Sequence, residues 1–230
     1  MYTAVTRKER AQANDLLNKL LLVCGVLSSL WYLAINIIVP VQDPDYNIAS
    51  QTVSELSAIG SPTKFLWDLL CTFYTLLVIP FGWGVLASSG DNTKLRAVGI
   101  IFLVYGFSGF FWPPMHDRET LAAGGGSFTD TMHIIYAMIT IALMLLMIGL
   151  GGAALGRGFR LFSMICIVIF IVFGILIWRE SPGIPANLPT PRIGIWERVN
   201  IGAFMLWVIV FAITLFRQQK TGGPINALVD

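Results

Sequence analysis

Apolar and polar positions in this chain do not alternate; they separate into blocks. Six blocks, at 20–39, 65–87, 97–112, 132–155, 161–178 and 199–216, are built almost entirely from Leu, Ile, Val, Phe, Met, Ala and Gly. A helix needs about 20 residues to cross the hydrocarbon core of a bilayer, and these runs have that length. The third is the shortest, so its helix must borrow residues from 94–96 or stand nearly upright. The pattern predicts an all-α integral membrane protein with six transmembrane helices in one bundle at 20–216. It leaves an N-terminal segment at 1–19 and a C-terminal tail at 217–230. The first run is longer than the apolar part of a signal peptide and no small-residue cleavage site follows it, so it is expected to stay as the first helix.

Composition agrees. Hydrophobic residues make up 56% of the chain and charged residues 12%, with a mean hydropathy of +0.74, far from the balance of a soluble domain. A net charge of +2 argues against a nucleic-acid surface and leaves membrane lipids as the expected partners. Cys24, Cys71 and Cys166 stand singly inside apolar runs and form neither a redox pair nor a disulfide framework. No phosphate-binding loop, dinucleotide glycine pattern or H-E-x-x-H helix occurs.

The few charges sort by side. Alternate connections and the ends carry Arg7, Lys8, Arg10, Lys19, Lys94, Arg96, Arg157, Arg160, Arg217 and Lys220, while the other connections carry Lys64, Arg118, Arg179, Arg192 and Arg198. Basic loops stay on the cytoplasmic side, so both termini are expected there. The run RKER near the start also suits anionic lipid. Most acids and both histidines then fall on the outer side, where Trp31, Trp67, Trp112, Trp178 and Trp196 mark the headgroup boundary.

The outer connections are also the long ones, and long loops more often carry function. In the first, Val53, Leu56 and Ile59 recur at helical spacing, predicting a short interfacial helix that carries Ser54 and Glu55. Ser61 and Pro62 are expected to start the second helix. The third outer connection has four prolines between 182 and 191, predicting an extended lid. Beyond it Glu197 and Asn200 are one turn apart, and Glu197 needs a partner at membrane depth, with Arg192 or Arg198 the expected one.

The second outer connection holds both histidines. Ser127 or Thr129 caps the fourth helix, and Asp130 in its first turn shares a face with His133. The plainer expectation is a capping acid bonded to an interfacial histidine. The sharper one is that His116, Asp130 and His133 converge with Glu55, a set that would suit zinc with one open position. Membrane hydrolases resembling alkaline ceramidases use three histidines, and this chain has two. GFSG at 106–109 is similar to the rhomboid protease motif, but the last helix has no histidine, and the glycines read more simply as close-packing positions.

Taken in order, TVSELSAIGSPTKFLWDLL after the first run, a P…H segment between the third and fourth, and GIWERVNIGAFMLW opening the sixth resemble the domain-of-unknown-function 998 family of six-helix prokaryotic membrane proteins. That family is similar to the Frag1, DRAM and Sfk1 group, some of whose members are linked to lipid organisation. The resemblance implies a fold and a plasma-membrane location, names no catalytic residue, and points to Ser54, Glu55, Leu56, Glu197 and Arg198. The charged HDRE at 116–119 departs from the family's pattern.

The expected site is thus an outer polar pocket drawing on Ser54, Glu55, His116, Asp130, His133, Arg192, Glu197 and Arg198. Binding or sensing of a lipid headgroup or small amphiphile is the leading functional expectation. A metal-dependent His/Asp hydrolase and a non-catalytic subunit with a membrane-protein partner are the alternatives.

Overall fold

The computed structural model describes residues 7–220. The expected terminal segments lie outside the described residues where they cover 1–6 and 221–230. Six long helices carry the fold: α1 (Arg7–Ile38), α2 (Lys64–Ala87), α3 (Thr93–Ser108), α5 (Phe128–Ala154), α6 (Arg157–Glu180) and α7 (Ile193–Lys220). A short helix, α4 (Arg118–Ala122), lies in the connection between α3 and α5. All six long helices are long and apolar enough to cross a membrane, with span hydropathies from 1.5 to 3.0. The chain has the architecture of a multi-pass membrane protein.

Each long helix packs on its neighbours in sequence, and α7 returns to α1, so the six close into a ring. Side chains that face away from the ring, such as Leu30, Phe65, Phe73, Ile139, Val168 and Ile171, are exposed, as the outer surface of a bundle bathed in lipid should be. Aromatic rings fill the centre. Phe81, Phe102, Phe204, Trp207 and Phe211 are fully buried; Phe81 meets Phe102 edge to face at 4.8 Å and Trp207 stacks on Phe211 at 4.8 Å. The indole of Trp207 donates to the Ser163 hydroxyl at 2.9 Å, which satisfies its one polar atom in the core.

Small residues let the helices approach this closely. A side chain at Gly99 would lie 2.7 Å from the backbone of Leu86, and one at Gly106 would lie 2.8 Å from Ile79. The glycines of GFSG are therefore packing positions, as the simpler reading expected.

Helix limits follow local chemistry. The Asn92 side chain accepts from the amide of Leu95, so α3 starts at Thr93 and gains the residues its apolar run lacked. Ser127 and Asp130 form a reciprocal capping box at the start of α5. Helix α2 begins two residues later than Ser61 and Pro62 suggested, because the Ser61 hydroxyl turns to Thr63, which takes the capping position. At the short-loop end the Ser88 hydroxyl accepts from Asn18 at 3.0 Å and from Gln219 at 2.9 Å, fastening α1 and α7 to the end of α2. The three long connections, 39–63, 109–127 and 181–192, gather at the opposite end.

Candidate functional site

The long connections are joined to one another before anything lies beneath them. In the first, Asn47 accepts from the amides of Ala49 and Ser50, turning the chain toward Thr52. Thr52 then opens a five-residue 3-10 turn, Val53–Ser57, in place of the expected interfacial helix. The Glu55 carboxylate reaches back to the amide of Thr52 at 2.6 Å and to its hydroxyl at 2.8 Å. Both groups are buried, so Glu55 does not belong to a solvated face.

Arg118 completes that carboxylate. It follows Asp117, whose side chain caps α4 by accepting from Thr120 at 2.8 Å. Its guanidinium donates to both oxygens of Glu55, at 2.5 and 2.9 Å, to the carbonyl of Ser50 at 3.0 Å and to that of Leu188 at 3.4 Å. One side chain therefore joins all three long connections. Backbone pairing sets the register between the first two: Ile59 donates to Met115 at 2.7 Å, and Asp117 donates back to Ile59 at 3.3 Å. Thr190 ties the third to the first through the Ser50 carbonyl at 2.7 Å. That third connection is not the extended lid its prolines suggested; a 3-10 turn, Ser181–Gly183, and further turns occupy it up to Asn187.

The start of α7 presses against the same loop. A side chain at Gly194 would lie 2.2 Å from the carbonyl of Gln51, so only glycine fits there. Arg198 reaches across to the carbonyls of Ile48 at 3.0 Å and Gln51 at 3.4 Å, and its other terminal nitrogen meets the Tyr46 hydroxyl at 2.8 Å. Burial pushes the Tyr46 hydroxyl well above its usual pKa, against the pull of Arg198, so it stays protonated and donates to Thr52. Glu197 is not paired with an arginine. Its Oε2 accepts from the amide of Val53 at 2.6 Å, because Arg198, the nearest cation along the helix, is taken up by loop carbonyls. Arg192 joins neither: it is exposed, and the bonds it makes are through its backbone, the amide donating to Glu180 at 3.3 Å and the carbonyl accepting from Trp196 at 3.1 Å.

The histidines also depart from expectation. Asp130 pairs with His116, not with His133. One carboxylate oxygen accepts from the His116 amide at 2.7 Å and the other from its Nδ1 at 2.9 Å, while also receiving the Ser127 amide. His133 is buried one turn on and donates from Nδ1 to the carbonyl of Pro113 at 2.8 Å, with Trp112 edge-on to its ring at 5.3 Å. Glu55, committed to Arg118, does not meet them. Among the described residues no three His, Cys, Asp or Glu side chains form a group that would hold a metal ion. The expected zinc set His116, Asp130 and His133 is not brought together as one group: the Asp130 carboxylate is taken by His116 and Ser127, and His133 turns instead to Pro113. The Ser108 hydroxyl of GFSG donates to the Tyr105 carbonyl at 2.8 Å and has no histidine partner.

Below the joined loops lies a cavity of about 520 Å³. Ser54, Ser57, Glu197 and Asn200 contribute polar groups; Trp67, Phe170, Ile177 and Ile201 are among its apolar walls. Tyr74 and Tyr105 also line it and share a hydrogen bond of 3.0 Å between their hydroxyls. Its lining reaches exposed positions at Asp68 and Thr72 of α2 and at Phe110 beyond α3, so it communicates with the outside on that flank of the ring. Of the expected site residues, Ser54 and Glu197 line the cavity. Glu55 and Arg198 hold the roof, and His116, Asp130 and His133 brace its side.

Arg118 was not among the expected site residues. Its sequence signal is a lone cation within the polar stretch 116–120, in a connection otherwise free of Lys and Arg. The tyrosine pair carries no such signal, because single tyrosines in apolar runs are ordinary core residues.

A family model described as a protein of unknown function, DUF998, matches residues 26–214, which reach from within α1 to within α7. No curated protein and no solved structure gives a significant match.

Proposed function

Since the chain belongs to the DUF998 family, whose description names no activity, we propose from the cavity itself that the protein binds the polar group and adjoining chain of a lipid or other small amphiphile. The observation that carries this reading is the division of the cavity lining. Serines, Glu197 and Asn200 provide hydrogen-bonding groups, and aromatic and aliphatic side chains form the remainder. A volume of about 520 Å³ falls within the range of small-molecule sites, roughly 300–1,000 Å³. Such a site can take a headgroup fragment and a length of acyl chain, but not a whole diacyl lipid. The flank bearing Thr72 and Phe110 gives a tail a route toward the surrounding bilayer. Basic residues gather at the opposite end of the bundle, which supports an outer-leaflet position for this mouth.

The test is retention. Native mass spectrometry of the full chain, released from a neutral maltoside detergent, should show a bound amphiphile in the wild type. That species should be lost from Ala137→Trp and Thr140→Phe, which fill the cavity from α5. Equal retention by the wild type and both folded variants would place the binding on the outer surface and overturn the reading.

A further inference from the structure

We infer that the polar group this cavity selects is a protonated amine rather than a phosphate or carboxylate. The inference rests on the amphiphile-binding reading and deepens it.

The cavity's charged lining consists of Lys64, Asp68 and Glu197. Lys64 and Asp68 are joined to each other at 2.6 Å on the exposed side of α2, one turn apart, and cancel. Glu197 is the charge left over. Its Oε2 is held by the Val53 amide, which fixes the carboxylate in one orientation. Oε1 has no hydrogen-bond partner among the described residues and is free to accept.

A second acceptor stands beside it. Asn200, three residues on and on the same helical face, also lines the cavity, and its Oδ1 is buried without a hydrogen-bond partner. A buried acceptor left unpaired is costly, and it implies a donor that arrives from outside the fold. Glu197 Oε1 and Asn200 Oδ1 both accept, and the carboxylate carries the charge, so a positive group with several N–H donors complements them.

The arginines and histidines nearest the cavity are committed elsewhere. The Arg118 guanidinium is spent on Glu55, Ser50 and Leu188, and both terminal nitrogens of Arg198 are spent on backbone carbonyls and Tyr46. His133 donates to Pro113, and His116 to Asp130. None of the four lines the cavity. A phosphate or carboxylate entering it would lose its hydration and meet Glu197, while the one lining cation, Lys64, is already paired with Asp68, an arrangement that low dielectric makes unfavourable. An alkylammonium would replace its water with Glu197 Oε1 and Asn200 Oδ1, while its chain lies along Trp67 and Ile201. A trimethylated ammonium has no N–H to give Asn200 and satisfies only the charge.

Dodecylamine, dodecanol and dodecyl phosphate share one chain and differ in head. Each is titrated into the full chain in a neutral maltoside detergent near neutral pH, with Ala137→Trp as the control for partition into the micelle. Dodecylamine should bind about tenfold more tightly than dodecanol, as expected for a charge-assisted hydrogen bond, and dodecyl phosphate should bind no better than to Ala137→Trp. Glu197→Gln keeps an acceptor for the Val53 amide and removes the charge; it should bring dodecylamine to the level of dodecanol. Asn200→Leu, which leaves Glu197 in place, should weaken dodecylamine more than dodecanol. Equal binding of dodecyl phosphate and dodecylamine, or an amine preference that survives in Glu197→Gln, would overturn the inference and leave amphiphile binding standing. No binding of any of the three to the wild type would remove both.

Discussion

Arg118 grips Glu55 across 63 positions of sequence, with two guanidinium nitrogens on its two carboxylate oxygens, and both side chains are largely withdrawn from solvent at 12% and 5% exposure. The pair holds three connections at once, so its loss should be felt over the whole mouth of the bundle. Breaking a buried pair strands the remaining charge, at a cost of about 3–5 kcal/mol. Arg118→Ala and Glu55→Ala should each destabilise the protein by that order. The double variant should cost less than the sum of the two, which a double-mutant cycle on unfolding in denaturing detergent measures. Arg118→Lys keeps the charge without the planar fork and should fall between. Single-variant losses below about 1 kcal/mol, the value of an exposed pair, would show that the clamp does not hold the roof.

This pair also shows where the sequence stops being legible. Six helices could be read because crossing a bilayer imposes length and apolarity on each run independently of the others. The extension of α3 to Thr93 was equally local, resting on an asparagine cap. The roof is a matter of partners between loops, and no periodicity records those. Asp130 and His133 share a helical face, which made them look like a pair; the carboxylate instead turns back toward the helix start, where the amides of Ser127 and His116 wait for an acceptor. Glu197 was rightly expected to need a partner, but a backbone amide supplies it. Ser54 and Glu197 line the cavity, whereas the role of Arg118 lies in contacts among three loops that only the fold brings together.

Asp130 accepts from the His116 amide, the His116 ring and the Ser127 amide. Removing it leaves three donors short, whereas removing the imidazole leaves both carboxylate oxygens still paired, one to the His116 amide and the other to the Ser127 amide. Asp130→Ala should therefore cost about 2–3 kcal/mol and His116→Ala about 1 kcal/mol, from the usual value of a hydrogen bond and of a stranded partner. Because the ring serves a structural bond, treatment with a chelator should leave the melting temperature of the wild type unchanged. A chelator-induced drop, or a larger loss for His116→Ala than for Asp130→Ala, would contradict the assignment.

Orientation can be checked without a ligand. Single cysteines at 91 and 156, in the short connections, should be shielded from a membrane-impermeant maleimide in intact cells. Cysteines at 45, 123 and 186, in the long connections, should react. The expectation rests on the gathering of Lys and Arg at the short-connection end. Labelling at 91 with protection at 123 would reverse it and move the cavity mouth to the inner leaflet.

Gly60 and Asp117 make the junction of the first two long connections sensitive to both shape and pH. Gly60 has φ +99°, a region open to glycine and strained for other residues. A side chain there would also lie 2.6 Å from the Asp117 carboxylate. Gly60→Ala should therefore cost about 1–3 kcal/mol for the backbone alone, and more once Asp117 is displaced from its cap. Asp117→Ala should cost about 1 kcal/mol, as for other capping residues. Combining the two relieves the collision while leaving the φ strain, so the double variant should be less destabilised than the sum. The Thr120 amide, with the Thr120 hydroxyl, holds the Asp117 carboxyl below its usual pKa. Its contribution is therefore complete above the ordinary aspartate value of about 4 and disappears as pH falls through the lower folded value. Melting temperatures of the wild type and Asp117→Ala should accordingly differ at pH 6 and draw together toward pH 3. A gap that widened on acidification would mean that the carboxyl is stabilised in its protonated form, and the cap assigned to it would be wrong.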